Sequence, residues 1–273
     1  MAKKADQQVQ KDGEVAYRAP ALEKGLDILE LLASQSGGLT LSQIAHNLER
    51  SVQEVYRVVQ SLERRSYVER RQPGDAFHLT MKLFDLASKH PPTRRLLEAG
   101  QPVLQKLAND IDEAVILSII DGSGTRVVMV ADNPAPIGFR VRLGTQGRLL
   151  STASGRTLLA FQDPTVRQAL LETVRPEYEG RDGEFERLVG RVDRIAKRGY
   201  EVVADETLKG ITDVSFPIVD GSGQALSALT MPFLSWVTSK VELAQASEQL
   251  FKAAAQLCRQ LGGELPVKKF TLE

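Results

Sequence analysis

Between Leu39 and Arg71 a hydroxyl residue twice stands three places ahead of a Gln or Glu, Thr40 with Gln43 and then Ser51 with Glu54. In that pairing each side chain takes a backbone amide that a helix start leaves free. Two helices therefore begin eleven residues apart, which leaves room for one short helix and a turn. The first sets Leu41, Ile44, Ala45 and Leu48 on one face. The second does the same with Val52, Val55, Val58, Val59 and Leu62.

Opposite the second apolar face lie Gln53, Tyr56, Arg57, Gln60 and Arg64, at steps of three and four. Gln matches adenine edges, Arg matches guanine or phosphate, and Tyr reaches phosphate, so this helix is expected to enter a DNA major groove. Tyr67 to Arg71, the turn Gln72-Pro73-Gly74-Asp75, and Ala76 to Leu79 read as strand, turn and strand. That hairpin is a wing, with Arg70 and Arg71 beside the duplex backbone. The residues assigned to DNA are Gln53, Glu54, Tyr56, Arg57, Gln60, Arg64, Arg70 and Arg71. A merely solvated arginine face is the plain alternative; two capped helices followed by a basic hairpin argue against it. The whole chain has 35 basic and 35 acidic residues, so no general attraction to nucleic acid exists. Residues 50–71 nevertheless hold six Arg against three Glu. A local excess of that size suits a reader of a small surface better than a protein that coats DNA.

With 273 residues, 42% of them hydrophobic, the chain has core enough for two domains and needs no disulfide. The lone Cys258 is expected to be a small core filler. Residues 1–19 read as a mobile polar tail. Pro20 starts a helix with Leu22, Gly25, Leu26, Leu29 and Leu32 on one face, which completes a winged helix-turn-helix over residues 20–79. Residues 80–91 form a linker helix with Leu83, Leu86 and Ala87 at helical spacing, suited to pairing with its copy and broken at Pro91-Pro92. The second domain spans residues 92–265.

There a helix from Thr93 to Asn109, bent or interrupted at Gly100 and Pro102, precedes β-rich runs. Ala114 to Ile120 and Arg126 to Val130 flank the turn Asp121-Gly122-Ser123-Gly124; Gly138 to Arg142 alternates as a third strand. Tyr200 to Val203, Asp213 to Val219 and Ala225 to Met231 follow. Asp182 is expected to cap a helix burying Phe185, Leu188, Val189, Val192 and Ile195, and a last helix starts near Thr238. Strands and helices mixed without a βαβ rhythm give an α+β fold with an antiparallel sheet.

Chemistry is sparse. His46, His78 and His90 all precede the second domain, so Ser151, Thr152 and Ser154 have no histidine to activate them. With one Cys, no CxxC and no HExxH, neither a metal nor a cofactor is expected, and the chain is not read as an enzyme. The stretch Leu149 to Arg156 instead opens a helix with small residues, where free amides receive anions. A carboxylate metabolite suits it, and an ordinary ligand-free cap suits it equally well. No secretory or membrane-spanning segment is read, so the expected compartment is the cytoplasm.

Over residues 20–262 the chain resembles the IclR-type transcriptional regulators. The resemblance rests on Ala21 to Leu29, Val55-Tyr56-Arg57, Tyr67-Val68-Glu69, Thr152-Ala153-Ser154-Gly155-Arg156 with Leu158-Leu159-Ala160, Gly199-Tyr200, and Gly210 to Asp220, in that order and spacing. It implies a bacterial regulator: a winged helix on double-stranded operator DNA, a linker helix that makes a homodimer, with a tetramer as the larger alternative, and a GAF-like domain holding a small effector. Its effector residues carry over to Met129, Ala153, Ser154, Asp213, Ala228 and Thr230, with Asp205 and Glu206 as an acidic pair. An architectural DNA binder with a ligand-free dimerisation domain is the alternative. Three departures stand out. Glu49 and Ser66 replace glycines usual in the family, which would build both turns differently. Asp213 stands where relatives often carry Cys, an acid that repels an anion unless protonated or paired, with Arg140, Arg142 or Arg148 to offset it.

Overall fold

The structure, a computed structural model, describes residues 19–70, 75–88, 91–133, 138–235, 239 and 241–272, with backbone alone at 87–88 and 91–93. The chain divides into two compact units, residues 1–89 and 90–273. Apart from Ala19, the expected tail lies outside the described residues, as do Arg71 and most of the wing turn.

In the first unit α1 (Pro20–Ala33), α2 (Leu41–Asn47) and α3 (Val52–Arg64) pack with a hairpin of β1 (Val68–Glu69) and β2 (His78–Leu79). Both expected capping boxes form. Thr40 N–H donates to Gln43 Oε1 at 2.8 Å and Ser51 N–H to Glu54 Oε2 at 3.4 Å, while each hydroxyl accepts the third amide on. The core is Ile28, Leu32, Ile44, Ala45, Val55, Val59, Val68 and Phe77. Each of these side chains larger than Ala45 contributes about 1.5–3 kcal/mol of burial. The α1 face differs from expectation: Gly25, Ile28 and Leu32 point inward, while Leu22 and Leu26 are 63% and 48% exposed. Val52 is likewise exposed, at the first turn of α3. The turns at Glu49 and Ser66 adopt left-handed backbone, φ 52° and 61°, the region that favours glycine.

After α4 (Lys82–Ser88), the second unit opens with α5 (Pro91–Ile111), which runs unbroken through Gly100 and Pro102 and begins at the expected break. One antiparallel sheet follows, in the order β5-β4-β3-β8-β7-β6, from β3 (Val115–Asp121), β4 (Gly124–Ala131), β5 (Gln146–Arg148), β6 (Glu201–Ala204), β7 (Ile211–Val219) and β8 (Ala225–Leu234). The expected strand at 138–142 is not one. Those residues are irregular, and β4 pairs with β5 instead, Gly124 opposite Arg148. The last helix, α9 (Leu243–Gln260), starts five residues later than expected from a Thr238 start and packs with α5 against the sheet. Chain beyond residue 265 still belongs to this unit: Phe270 is buried against Tyr200 and Phe216, and Tyr200 Oη donates to the Thr271 carbonyl at 2.7 Å.

The opposite face carries α6 (Ala153–Ala160), all eight residues of it buried. Its inner side meets the sheet. Its outer side shares a second core with α7 (Pro164–Val174) and α8 (Glu184–Arg198), built from Leu149, Leu159, Leu171, Tyr178, Leu188 and Val192. Asp182 does not cap α8; the cap position is Gly183 in left-handed backbone, with no side-chain bond. A β-carbon on Gly155 would lie 2.1 Å from the Leu149 carbonyl oxygen, so only glycine allows α6 to start this close to the preceding turn.

Candidate functional site

The outward side of α3 presents Gln53, Tyr56, Arg57, Gln60 and Arg64, all exposed. Their backbone is fixed from behind by Val55 and Val59, each 1% exposed. Gln60 Nε2 donates to Tyr56 Oη at 2.5 Å, one turn away, which aligns the two polar tips. Neither Arg57 nor Arg64 forms an ion pair among the described residues, so both guanidinium groups remain available to an anion. Glu54 is differently placed. Lys24, at 2.7 Å, and Ser51 hold its carboxyl down to about 2, so it works as cap and as clamp to α1. Arg70 donates to Glu63 at 2.9 Å and its guanidinium lies over Phe77, 5.2 Å from the ring centroid. It is tied to its own unit, while Arg71 lies outside the described residues.

In the second unit a cavity of about 420 Å³ opens at the start of α6 over the faces of β3, β4, β7 and β8. Of the six residues carried over for the effector, Ala153, Ser154, Asp213 and Thr230 line it. Met129 does not. The β3–β4 register slips between Leu117 and Ser118, so that Leu117 faces Met129 while Ser118 faces Val127. The extra residue, Val128, inverts the alternation. Val127 therefore lines the cavity, and Met129 points to α5, where its sulfur would lie 3.2 Å from a β-carbon on Gly100. Ala228, two residues from Thr230 on β8, is fully buried and lies outside the lining.

Sequence reasoning missed part of the wall. Ile116, Thr125, Ile211 and Thr207 come from four separate segments, and the irregular stretch 138–142 supplies Phe139, Arg140, Val141 and Arg142. Of the three arginines considered as an offset to Asp213, Arg140 and Arg142 line the cavity; Arg148 does not, and faces Glu177 at 3.5 Å. Asp213 accepts one long hydrogen bond, 3.3 Å, from Thr207 Oγ1. Burial, with the nearby Glu206 charge, pushes its acid up to about 6, against the pull of Thr207 and Arg156.

Behind the cavity Arg156, fully buried on α6, donates to Glu201 at 3.1 Å, to Glu206, and to the Leu150 carbonyl at 2.8 Å. Arg191 and Arg198 also reach Glu201, at 2.8 and 3.0 Å. The clue in the sequence was an arginine inside an otherwise small and apolar helix, because a fully buried charge requires a partner. The partner of the expected acidic pair is Glu206. Asp205 instead accepts the Gly210 amide at 2.6 Å and shapes the turn before β7.

Known proteins match both units. The sequence model for the bacterial transcriptional regulator IclR C-terminal domain matches residues 92–259, and that for the IclR helix-turn-helix domain matches residues 21–72. The HTH-type transcriptional regulator BhcR of Paracoccus denitrificans is 28% identical over 239 residues, 87% of this chain and 85% of that protein. The Thermotoga maritima IclR crystal structure superposes with a TM-score of 0.68 at 26% identity, covering 88% of this chain and 98% of that one. An IclR homologue from Microbacterium hydrocarbonoxydans, crystallised with 4-hydroxybenzoate, shares the fold, with a TM-score of 0.69 at 20% identity over 88% of this chain and 98% of that one. The relatives are named as regulators of transcription, not as enzymes.

Proposed function

The chain belongs to the IclR family of transcriptional regulators, and we propose that it is a sequence-specific operator-binding protein whose grip on DNA responds to a small organic acid in the α6 cavity. The observation that carries this reading is the row Gln53, Arg57, Gln60 and Arg64, exposed on a helix whose other face is locked in the core. Such a row supplies bidentate contacts to base edges in the major groove and charge for the adjacent phosphates. Two copies present two such helices, and a spacing of one duplex turn, about 34 Å, reads a palindromic site. The surface for pairing is the exposed apolar set Met81, Leu83, Phe84 and Leu86 on and before α4. The cavity favours the effector reading over a ligand-free dimerisation domain: it falls in the size range of small-molecule sites and pairs apolar walls with a few polar groups. The 4-hydroxybenzoate found with the Microbacterium homologue is an acid of the same class. Work on DNA places the protein in the cytoplasm of its bacterium.

Arg57→Ala tests the docking. At matched salt it should weaken a selected operator by about tenfold to a hundredfold, the equivalent of about 1–3 kcal/mol, with ligand binding in the second unit unchanged. Unaltered affinity in that titration would remove α3 as the reading helix.

A further inference from the structure

The polarity of the α6 cavity is uneven. Its body is apolar, with Ile116, Val127 and Ile211 among the walls, and one wall holds a carboxyl, Asp213. Among the described residues Asp213 forms no ion pair, and its one side-chain hydrogen bond, from Thr207, is 3.3 Å long. The guanidinium that acts on it, Arg156, is already occupied by Glu201, Glu206 and the Leu150 carbonyl. Glu206 adds a second negative charge nearby. Elsewhere in the same lining Arg140 and Arg142 are exposed and form no ion pair among the described residues. The cavity therefore offers an acid without a cation and cations without an acid.

Resting on the reading of this cavity as the effector site, we propose that its ligand is a zwitterion, an amino-acid-like molecule whose ammonium group pairs with Asp213, whose carboxylate meets Arg140 and Arg142, and whose side chain lies against the apolar walls. A plain carboxylate enters beside Asp213 with like charge, and one of the two acids must take up a proton first. A hydroxy acid can donate one hydrogen bond to Asp213 but leaves its charge uncompensated. An ammonium group supplies both the hydrogen bond and the charge, and charge-assisted bonds are about twice as strong as neutral ones. A volume of about 420 Å³ accommodates an amino acid with a branched or aromatic side chain.

The groups around Asp213, namely Thr207, Glu206 and Arg156, set its proton affinity, which burial raises to about 6. Ammonium binding requires the ionised acid. Affinity for a zwitterion should thus fall about tenfold per pH unit below about 6. Affinity for a plain carboxylate should move the other way over the same range, because protonated Asp213 no longer repels it.

The experiment is calorimetry on the full-length protein, titrated with the twenty amino acids and, for each apolar one, its 2-hydroxy and its unsubstituted carboxylic analogue. Leucine, 2-hydroxyisocaproate and 4-methylvalerate form one such set; phenylalanine, phenyllactate and 3-phenylpropionate another. The expected result is an amino acid at least tenfold tighter than both analogues. In Asp213→Asn that preference should shrink by at least tenfold while the unsubstituted acid binds more tightly. The ranking and pH profile of the unmutated protein stand even if that variant folds poorly. If unsubstituted acids bind as well as amino acids, and with no bend near pH 6, the zwitterion is wrong and the effector cavity survives. If no compound in the panel binds while operator DNA still does, both the zwitterion and the effector reading fail.

Discussion

Both units carry ion pairs at the surface, but among the described residues only the second also buries one. In the winged helix the ion pairs lie at the surface: Lys24–Glu54, Arg50–Asp27 and Arg70–Glu63 all have both partners at least a fifth exposed. In the effector unit Arg156 and Glu201 are at 0% and 1%, between α6 and the sheet edge. A surface built to meet DNA keeps its charges solvated until the partner arrives, and solvent screening weakens each pair. A domain that buries charge behind a cavity commits several kcal/mol to one arrangement, and breaking it by removing one partner is costly.

The largest expected effect follows from that difference. Arg156→Leu strands the Leu150 carbonyl, leaves Glu206 with Arg191 alone, and removes one of three cations from buried Glu201. It should cost the second unit about 3–5 kcal/mol. Arg70→Leu, which breaks the half-exposed pair with Glu63, should cost the first about 1 kcal/mol or less. Urea unfolding of both variants makes the comparison, and equal losses would mean that the buried network carries no special weight.

How legible each unit was follows the same division. The winged helix rests on short-range rules: hydroxyl-x-x-Gln/Glu at positions 40–43 and 51–54, and a 3.6-residue period over 52–64. Both survive without knowledge of the rest of the chain. Its misread apolar positions, Leu22 and Leu26 on α1 and Val52 on α3, are ones that this unit does not cover. The cavity depends on facts that no window contains. One bulged residue, Val128, decides that Val127 and not Met129 faces the cavity. Phe139 and Val141 alternate with arginines as a strand would, yet they line a cavity and β4 takes its partner from 146–148. Arg156 and Glu206 are fifty residues apart, and their pairing is visible only once α6 lies on the sheet.

Proton linkage sharpens the contrast, since its sign differs between the units. Glu54, held at about 2, favours the folded winged helix above its ordinary 4.5, and that contribution is lost as pH falls through about 2. Glu113 in the second unit is 3% exposed and accepts from the Leu234 amide, while its Oε2 has no partner. Burial first, and then the Asp112 charge, pushes it from 4.5 up to about 7. The folded state binds the extra proton, so stability declines as pH rises from about 4.5 through about 7, and Asp213 adds to the decline up to about 6. Glu113→Gln should therefore stabilise the second unit at pH 8 by about 1–2 kcal/mol, with the gain fading below pH 5. A melting curve for the variant that runs parallel to that of the unmutated protein across this range would show that Glu113 stays charged.

The smallest effect separates the units by backbone alone. Ser66 and Glu49 sit in left-handed backbone at φ 61° and 52°, and among the described residues neither side chain makes a hydrogen bond there. Asp205 has nearly the same φ, 60°, but its carboxylate accepts the Gly210 amide at 2.6 Å. A left-handed non-glycine residue costs about 1–2 kcal/mol, of which glycine's looser unfolded chain returns about half. Ser66→Gly should thus stabilise the winged helix by about 0.5–1 kcal/mol, a rise of a few degrees in its melting temperature. Asp205→Gly relieves the same strain but loses a charge-assisted bond of about 1.5–3 kcal/mol, so its net effect should be destabilising. Nearly equal left-handed φ then gives opposite signs, and two stabilised variants in differential scanning calorimetry would show that the Asp205 bond contributes less than the strain it accompanies.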